Sequence, residues 1–144
     1  MIEQDTIKLL RECDAGVKMG IKSISEVIDR VESSDFRKIL TDNKLEHEKL
    51  EAEIQKELIR FEDAGKDPNF MAKSMSWMKT NVMLGLNDSD KTIADLITDG
   101  CNMGVKSLNE YLNDYKAAEE FAKDITKRLI NLEERLTVDI RDYL

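Results

Sequence analysis

The amino-acid sequence predicts an all-α protein, a four-helix bundle made of two repeated helical hairpins. The first observation is a repeat, because residues 19–28 read MGIKSISEVI and residues 103–112 read MGVKSLNEYL. The second is a set of apolar positions that recur every three or four residues, the spacing of one helix face. The third is the scarcity of helix breakers, with one proline and six glycines in 144 residues. Together they favour a few long helices in a single domain over residues 1–144.

The first hairpin is predicted over about residues 3–62. Its first inner stripe consists of Ile7, Leu10, Asp14, Val17, Ile21, Ile24, Ile28 and Val31. Ser33, Ser34 and Asp35 then supply a turn and helix-capping side chains. The second stripe consists of Phe36, Leu40, Asn43, His47, Leu50, Ile54, Leu58 and Phe61. Two long helices joined by so short a turn form an antiparallel hairpin.

The second hairpin, over about residues 91–144, repeats this plan. Gly20 matches Gly104 at an offset of 84, and Phe36 matches Phe121 at an offset of 85. The third stripe consists of Ala94, Thr98, Cys101, Val105, Leu108, Leu112 and Tyr115. The fourth consists of Phe121, Ile125, Leu129, Leu132, Leu136, Ile140 and Tyr143, with no polar residue interrupting it.

A crossover of about residues 63–90 separates the hairpins. Asp67 and Pro68 mark a helix start, and Met71, Met75, Met78 and Val82 form the apolar stripe of a short helix. A connection of this length can travel the full height of a bundle, so helices 2 and 3 are predicted to run parallel.

Charge and hydropathy narrow the classes of function. The net charge of −8 repels nucleic-acid phosphates and anionic lipids, so neither nucleic acid nor a membrane is an expected partner. No stretch approaches the roughly 18–20 apolar residues of a membrane span. The N-terminus lacks an apolar run of signal-peptide length, and Cys13 and Cys101 stand far apart. We therefore expect a cytoplasmic protein with reduced thiols.

Polar residues that interrupt the inner stripes are the candidate positions for chemistry. They are Asp14, Asn43, His47, Thr98 and the soft residue Cys101. In the first hairpin, residues whose numbers sum to about 67 lie at one height, so His47 is level with Gly20. Asp14 then lies roughly 9 Å away along the axis, too far for an acid–base pair.

Each of these residues allows a structural and a functional interpretation. His47 is either a ligand or proton shuttle, or a core histidine hydrogen-bonded to Asn43, Thr98 or Cys101. Asp14 either keeps its charge in water at the edge of the stripe or bonds Thr98, because a lone buried carboxylate is costly.

Duplicated hairpins joined by a long crossover resemble the ferritin-like superfamily. The chain is most similar to the small bacterial ferritin-like domains of unknown function, which have a comparable tryptophan-containing crossover helix, here SMSWMKTNVMLGL. The resemblance covers nearly the whole chain and rests on pattern rather than on a ligand motif.

The resemblance also implies where a metal would lie. Metal-loaded members supply a Glu from helices 1 and 3 and a Glu-x-x-His from helices 2 and 4. The positions of this chain that match those six ligands are Val17, Cys101, Lys44, His47, Leu129 and Leu132. Only His47 matches, and the chain has no other histidine. Because nothing would compensate the charge of a buried di-iron centre, a degenerate site and no resident cofactor are implied.

We therefore expect a non-enzymatic protein that acts by interaction or self-association. Its predicted contact face consists of Met71, Met75, Trp77 and Met78, for a protein partner or a second copy in a homodimer, although such a stripe also fits a crossover that packs on its own bundle. The alternative is a metal-binding or oxidoreductase protein with an altered site. Its single iron, manganese or zinc ion would be held by Asp14, His47, Asp99 and Cys101.

Overall fold

Four long helices make up the part of the chain that the computed structural model describes, residues 2–61, 63 and 89–144. They are α1 (Ile2–Val27), α2 (Ser34–Arg60), α3 (Asp90–Asp114) and α4 (Glu120–Ile140). Short 3-10 helices at Ile28–Arg30 and Arg141–Tyr143 follow α1 and α4, and these described ranges contain no strand. The all-α four-helix prediction is confirmed. The predicted crossover helix lies outside the described residues.

Serine side chains cap the N-termini of α2 and α3. Ser33 Oγ accepts a hydrogen bond from the backbone N–H of Phe36, 3.2 Å away, as the sequence predicts for this turn. Ser89 Oγ accepts from the backbone N–H of Thr92 in the same way at the start of α3. Each helix then buries one face, and most of its charged residues lie on the opposite face, with Glu12, Asp14 and Glu133 buried.

Reciprocal hydrogen bonds join the turn of each hairpin to the first turn of the other hairpin. The backbone N–H of Ser33 donates to Asp90 Oδ2 over 2.9 Å, and the backbone N–H of Glu119 donates to Thr6 Oγ1, also over 2.9 Å. The end of α1 therefore lies beside the start of α3, and the two helices are antiparallel. Because α1 is also antiparallel to α2, helices α2 and α3 run parallel, as predicted.

These bonds fix the register of the duplication. Thr6 and Asp90 are related by the offset of 84 that holds for α1 and α3. The capping positions Ser33 and Glu119 are related by an offset of 86. The turn of the second hairpin is thus two residues longer, and the offset of 85 taken from Phe36 and Phe121 is one short for α2 and α4.

The core is divided at mid-height. One apolar cluster includes Leu9, Leu58 and Leu129, and the other includes Ile24, Phe36 and Leu136. Between them lies a buried polar layer of Asn43, His47 and Glu133. No helix in the described ranges combines the length and the apolar character that crossing a lipid bilayer requires.

Candidate binding groove between α1 and α3

A groove lies between the antiparallel helices α1 and α3, and the duplicated sequence forms its walls. Six residues of α1 line it, and the residue 84 positions later lines it in every case. The pairs are Glu12 and Leu96, Gly16 and Gly100, Met19 and Met103, Gly20 and Gly104, Ser23 and Ser107, and Ile24 and Leu108. The repeated Met-Gly-x-x-Ser segment therefore builds matching walls on the two sides.

Two glycines of the repeat make room for polar side chains from the opposite arm of each hairpin. A Cβ atom on Gly20 would lie 2.6 Å from His47 Nε2, and one on Gly104 would overlap the carboxyl of Glu133. Any larger residue would displace these groups. His47 and Glu133 are themselves related by the offset of 86, so the two hairpins present different polar residues at equivalent positions.

His47 and Glu133 meet at the floor of the groove, with relative exposures of 1% and 7%. His47 Nδ1 lies 3.0 Å from the backbone carbonyl of Asn43, which can only accept, so Nδ1 carries a proton. The other ring nitrogen, Nε2, is 3.9 Å from Glu133 Oε1, too far for a direct hydrogen bond. Within residues 2–61, 63 and 89–144, neither His47 Nε2 nor Glu133 Oε2 has a hydrogen-bond partner.

Burial changes the acidity of the groups at the floor. It raises the pKa of the Glu133 carboxyl, which His47 lowers only in part. The pKa of the Cys101 thiol is raised well above its usual value by burial and by the charge of Glu133. Cys13, buried elsewhere in the core, has a pKa raised to about 12 by burial, and its thiol lies 3.1 Å from Thr126 Oγ1. Both cysteines are free thiols.

The two ends of the groove differ in polarity. At one end, the hydroxyl of Tyr111 interacts with Glu12, and burial followed by the charge of this carboxylate raises the pKa of Tyr111 to about 12. At the other end, Leu96, Ile97 and Leu136 belong to one apolar cluster. Leu108, beside Gly16, is the apolar lining residue nearer to Tyr111, so the end at Leu96, Ile97 and Leu136 is the more apolar of the two.

A second depression, of about 400 Å³, lies between α2 and α4, but most of its lining side chains are exposed. There Arg128 donates to both carboxylate oxygens of Glu53 over 2.6 and 2.8 Å. Because Arg128 and Glu53 already pair with each other, neither charge is left for a ligand to pair with, and the depression is the weaker candidate for ligand recognition.

The structure separates the four residues predicted for an altered metal site. His47 and Cys101 line the groove. Asp14 is fully buried elsewhere, where it accepts from Lys18 Nζ over 2.7 Å and from Gln55 Nε2 over 2.5 Å. Both alternatives predicted for it, a charge kept in water and a bond to Thr98, are therefore wrong. Asp99 is exposed.

Glu133 lines the groove but is absent from the candidate residues that the sequence predicts. The predicted fourth stripe contains no polar residue, whereas the structure buries Glu133 and Thr126 in α4. The offset of 85 paired His47 with Leu132, whereas the offset of 86 pairs it with Glu133. The carried-over positions of the fourth helix are then Ile130 and Glu133 instead of Leu129 and Leu132. The N-cap positions Ser33 and Glu119 give the correct register, but only Ser33 caps with its side chain, so the sequence held no capping signal at Glu119.

Within the described ranges, no three His, Cys, Asp or Glu side chains are grouped so as to hold a metal ion. The predicted contact face of Met71, Met75, Trp77 and Met78 lies outside those ranges and stays a prediction. The chain matches no protein-family model, and no curated protein or solved structure matches it significantly. The groove itself is therefore the basis for a functional proposal.

Proposed function

We propose that this bundle is a non-enzymatic binding protein whose groove between α1 and α3 takes up one small molecule with a polar head and an apolar body. The observation that carries the proposal is the pair of buried, unpartnered atoms at the floor, His47 Nε2 and Glu133 Oε2. An unsatisfied buried polar atom costs about 1–3 kcal/mol. A ligand that hydrogen-bonds both atoms would recover that cost on binding.

The size and lining of the groove limit the ligand. Its volume is about 60 Å³, and a water molecule needs roughly 10–15 Å³ of such space, so roughly four to six non-hydrogen atoms fit. Met19 and Met103 stand on its two walls, and methionine side chains adapt to the shape of a bound molecule. A short aliphatic or small cyclic body is the best match.

The chemistry of the lining supports binding better than covalent catalysis. A cysteine is nucleophilic as the thiolate, and the raised pKa of Cys101 keeps its thiol protonated. The hydroxyl of Ser23 donates to the backbone carbonyl of Met19, 2.7 Å away. Neither group is prepared for nucleophilic attack.

Descent from a ferritin-like bundle with a lost metal site is part of the proposal. The duplicated hairpins and the parallel direction of α2 and α3 support it. In the corrected register the helix-4 histidine position falls on Glu133, which leaves a carboxylate and an imidazole where a metal-loaded relative would gather six ligands. The competing function is metal binding, and its supporting observation is that His47 and Glu133 are both possible donors.

An NMR screen of small amphiphiles tests the proposal. The chain has one histidine, so its imidazole signals report on the groove floor without ambiguity. We expect saturable shifts of these signals at millimolar ligand concentration. Ser107→Met adds a side chain to the groove wall and should weaken binding by about tenfold or more. The matched control is Ser25→Met, the same change at an exposed position of α1, which should leave affinity unchanged.

Two results would contradict the proposal. One is the failure of every amphiphile to shift the His47 signals. The other is stoichiometric iron, manganese or zinc in the purified protein that His47→Ala removes, which would establish the metal-binding alternative.

A further inference from the structure

The charges that line the groove are unbalanced. Its titratable groups are Glu12 from α1, His47 from α2, Cys101 and Tyr111 from α3, and Glu133 from α4. None of the described lining residues is a lysine or an arginine. The described lining of the groove thus contains two carboxyl groups and a single imidazole, in a protein whose net charge is −8.

The hydrogen-bonding roles at the floor are also restricted. Because Nδ1 of His47 carries the proton that it shares with the Asn43 carbonyl, Nε2 of the neutral ring can only accept. The ionised carboxylate of Glu133 can only accept as well. A hydrogen-bond donor would therefore satisfy the unpartnered atoms His47 Nε2 and Glu133 Oε2. A positive charge would compensate the buried carboxylate.

Three kinds of head group can be compared against this floor. An anionic head would meet carboxylates and no fixed cation. A hydroxyl has one proton to donate and leaves the carboxylate charge uncompensated. A primary ammonium has three N–H donors and a positive charge, so it can bond both acceptors and neutralise Glu133.

Resting on the proposed function, we infer that the groove selects a primary alkylammonium ion, with the nitrogen between His47 and Glu133 and the alkyl chain toward Leu96, Ile97 and Leu136. The separation of 3.9 Å between His47 Nε2 and Glu133 Oε1 supports this. One nitrogen can lie within about 2.9 Å, the usual N–H···O distance, of Nε2 and of Oε1, which belongs to the same carboxylate as the unpartnered Oε2. The raised pKa of Glu133 agrees, because it reports a buried carboxylate without sufficient positive charge nearby.

A matched set of ligands tests the inference, namely n-butylamine, 1-butanol and butanoate at about pH 8, where the amine is protonated. The readout is the His47 imidazole signal. We expect n-butylamine to bind about tenfold or more tightly than 1-butanol, and butanoate to bind more weakly than both. Glu133→Gln should abolish the preference for the amine while 1-butanol binding persists, which shows that the variant is folded. Glu134→Gln, the same change at the exposed neighbouring position, should keep the preference.

The outcomes separate this inference from the proposed function. If 1-butanol or butanoate binds as tightly as n-butylamine, the ammonium assignment is wrong and the binding groove stands. An amine preference that survives Glu133→Gln also overturns the assignment. If none of the three ligands shifts the His47 signals but other amphiphiles in the wider screen do, only the alkylammonium inference fails. If no amphiphile does, both fail.

Discussion

In the first hairpin Gly20 of α1 lies against the imidazole of His47, and in the second Gly104 of α3 lies against the carboxyl of Glu133. The walls that the two hairpins contribute are nearly the same, because both carry Met-Gly-x-x-Ser. The residues that they contribute to the floor differ in charge, shape and flexibility. The two hairpins thus pack alike at the groove walls, whereas one contributes an imidazole to the floor and the other a carboxyl. Changes that make the hairpins alike should therefore show what the difference does.

The largest effect is expected from His47→Glu, which places a second carboxyl opposite Glu133. Two buried carboxylates repel each other, so we expect a loss of about 3–5 kcal/mol in the free energy of unfolding at about pH 8. The loss should shrink at about pH 4, where both groups are protonated. Urea unfolding at the two pH values measures it.

The reciprocal variant Glu133→His is the control for this prediction. Two neutral imidazoles do not repel, so we expect a cost below about 2 kcal/mol at about pH 8. Equal costs for the two variants would mean that the side chains do not interact across the floor.

A smaller difference is expected between the glycines themselves. In Gly20→Ala the new Cβ meets the His47 ring, which is 1% exposed and bonded to Asn43, so we expect a loss of about 1–3 kcal/mol. In Gly104→Ala it meets the far end of the flexible Glu133 side chain. There the gain in helix propensity, about 1 kcal/mol, should offset most of the clash.

Gly16→Ala provides the baseline for both variants. Its Cβ would lie 3.6 Å from Leu129 Cδ2, an ordinary contact, so a gain of about 0.5–1 kcal/mol is expected. Thermal and urea unfolding of the three variants measure the series. The close packing at Gly20 would be refuted if Gly20→Ala were as stable as Gly16→Ala.

The smallest effect is a pH-dependent gain in Glu133→Gln. Burial raises the pKa of this carboxyl from its ordinary value of 4.5, so the folded state binds the proton more tightly than the unfolded state does. This carboxyl therefore contributes a loss of stability to the parent protein as pH rises above about 4.5. Since glutamine carries no charge, we expect the variant to be about 1 kcal/mol more stable at about pH 8 and equal to the parent at about pH 4. The exposed control Glu134→Gln should show no such pH dependence in urea unfolding, and a loss of stability at about pH 8 in Glu133→Gln would contradict the prediction.

Local signals predicted most of the fold. The apolar stripes gave the four helices, Ser33 caps α2 as expected, and His47 is level with Gly20 as the antiparallel geometry required. The parallel direction of α2 and α3 followed from the length of the crossover. These features depend on the spacing of apolar residues and on the lengths of the connecting segments, and both can be read from the sequence.

The floor of the groove could be predicted only in part. Glu133 stands between Leu132 and Glu134 and, beside a complete apolar stripe, reads as a solvent-facing residue. Glu133 can be buried because Gly104 on the neighbouring helix has no Cβ atom and leaves room for its carboxyl. This contact joins residues far apart in the sequence, so local patterns do not predict it. Neither alternative predicted for Asp14, a charge kept in water or a bond to Thr98, is right, because its partners Lys18 and Gln55 lie outside the inner stripes.

The reciprocal bonds of Ser33 to Asp90 and of Glu119 to Thr6 have a consequence for how such a protein could arise. The turn of each hairpin hydrogen-bonds to the first turn of the other, the reciprocal arrangement that two identical chains have around a two-fold axis. In a symmetric pair of identical hairpins, any residue near that axis would meet its own copy, giving imidazole against imidazole or carboxyl against carboxyl. Joining the two copies in one chain removes this restriction. The acid and the base at the floor of this groove are a combination that only the fused chain can encode.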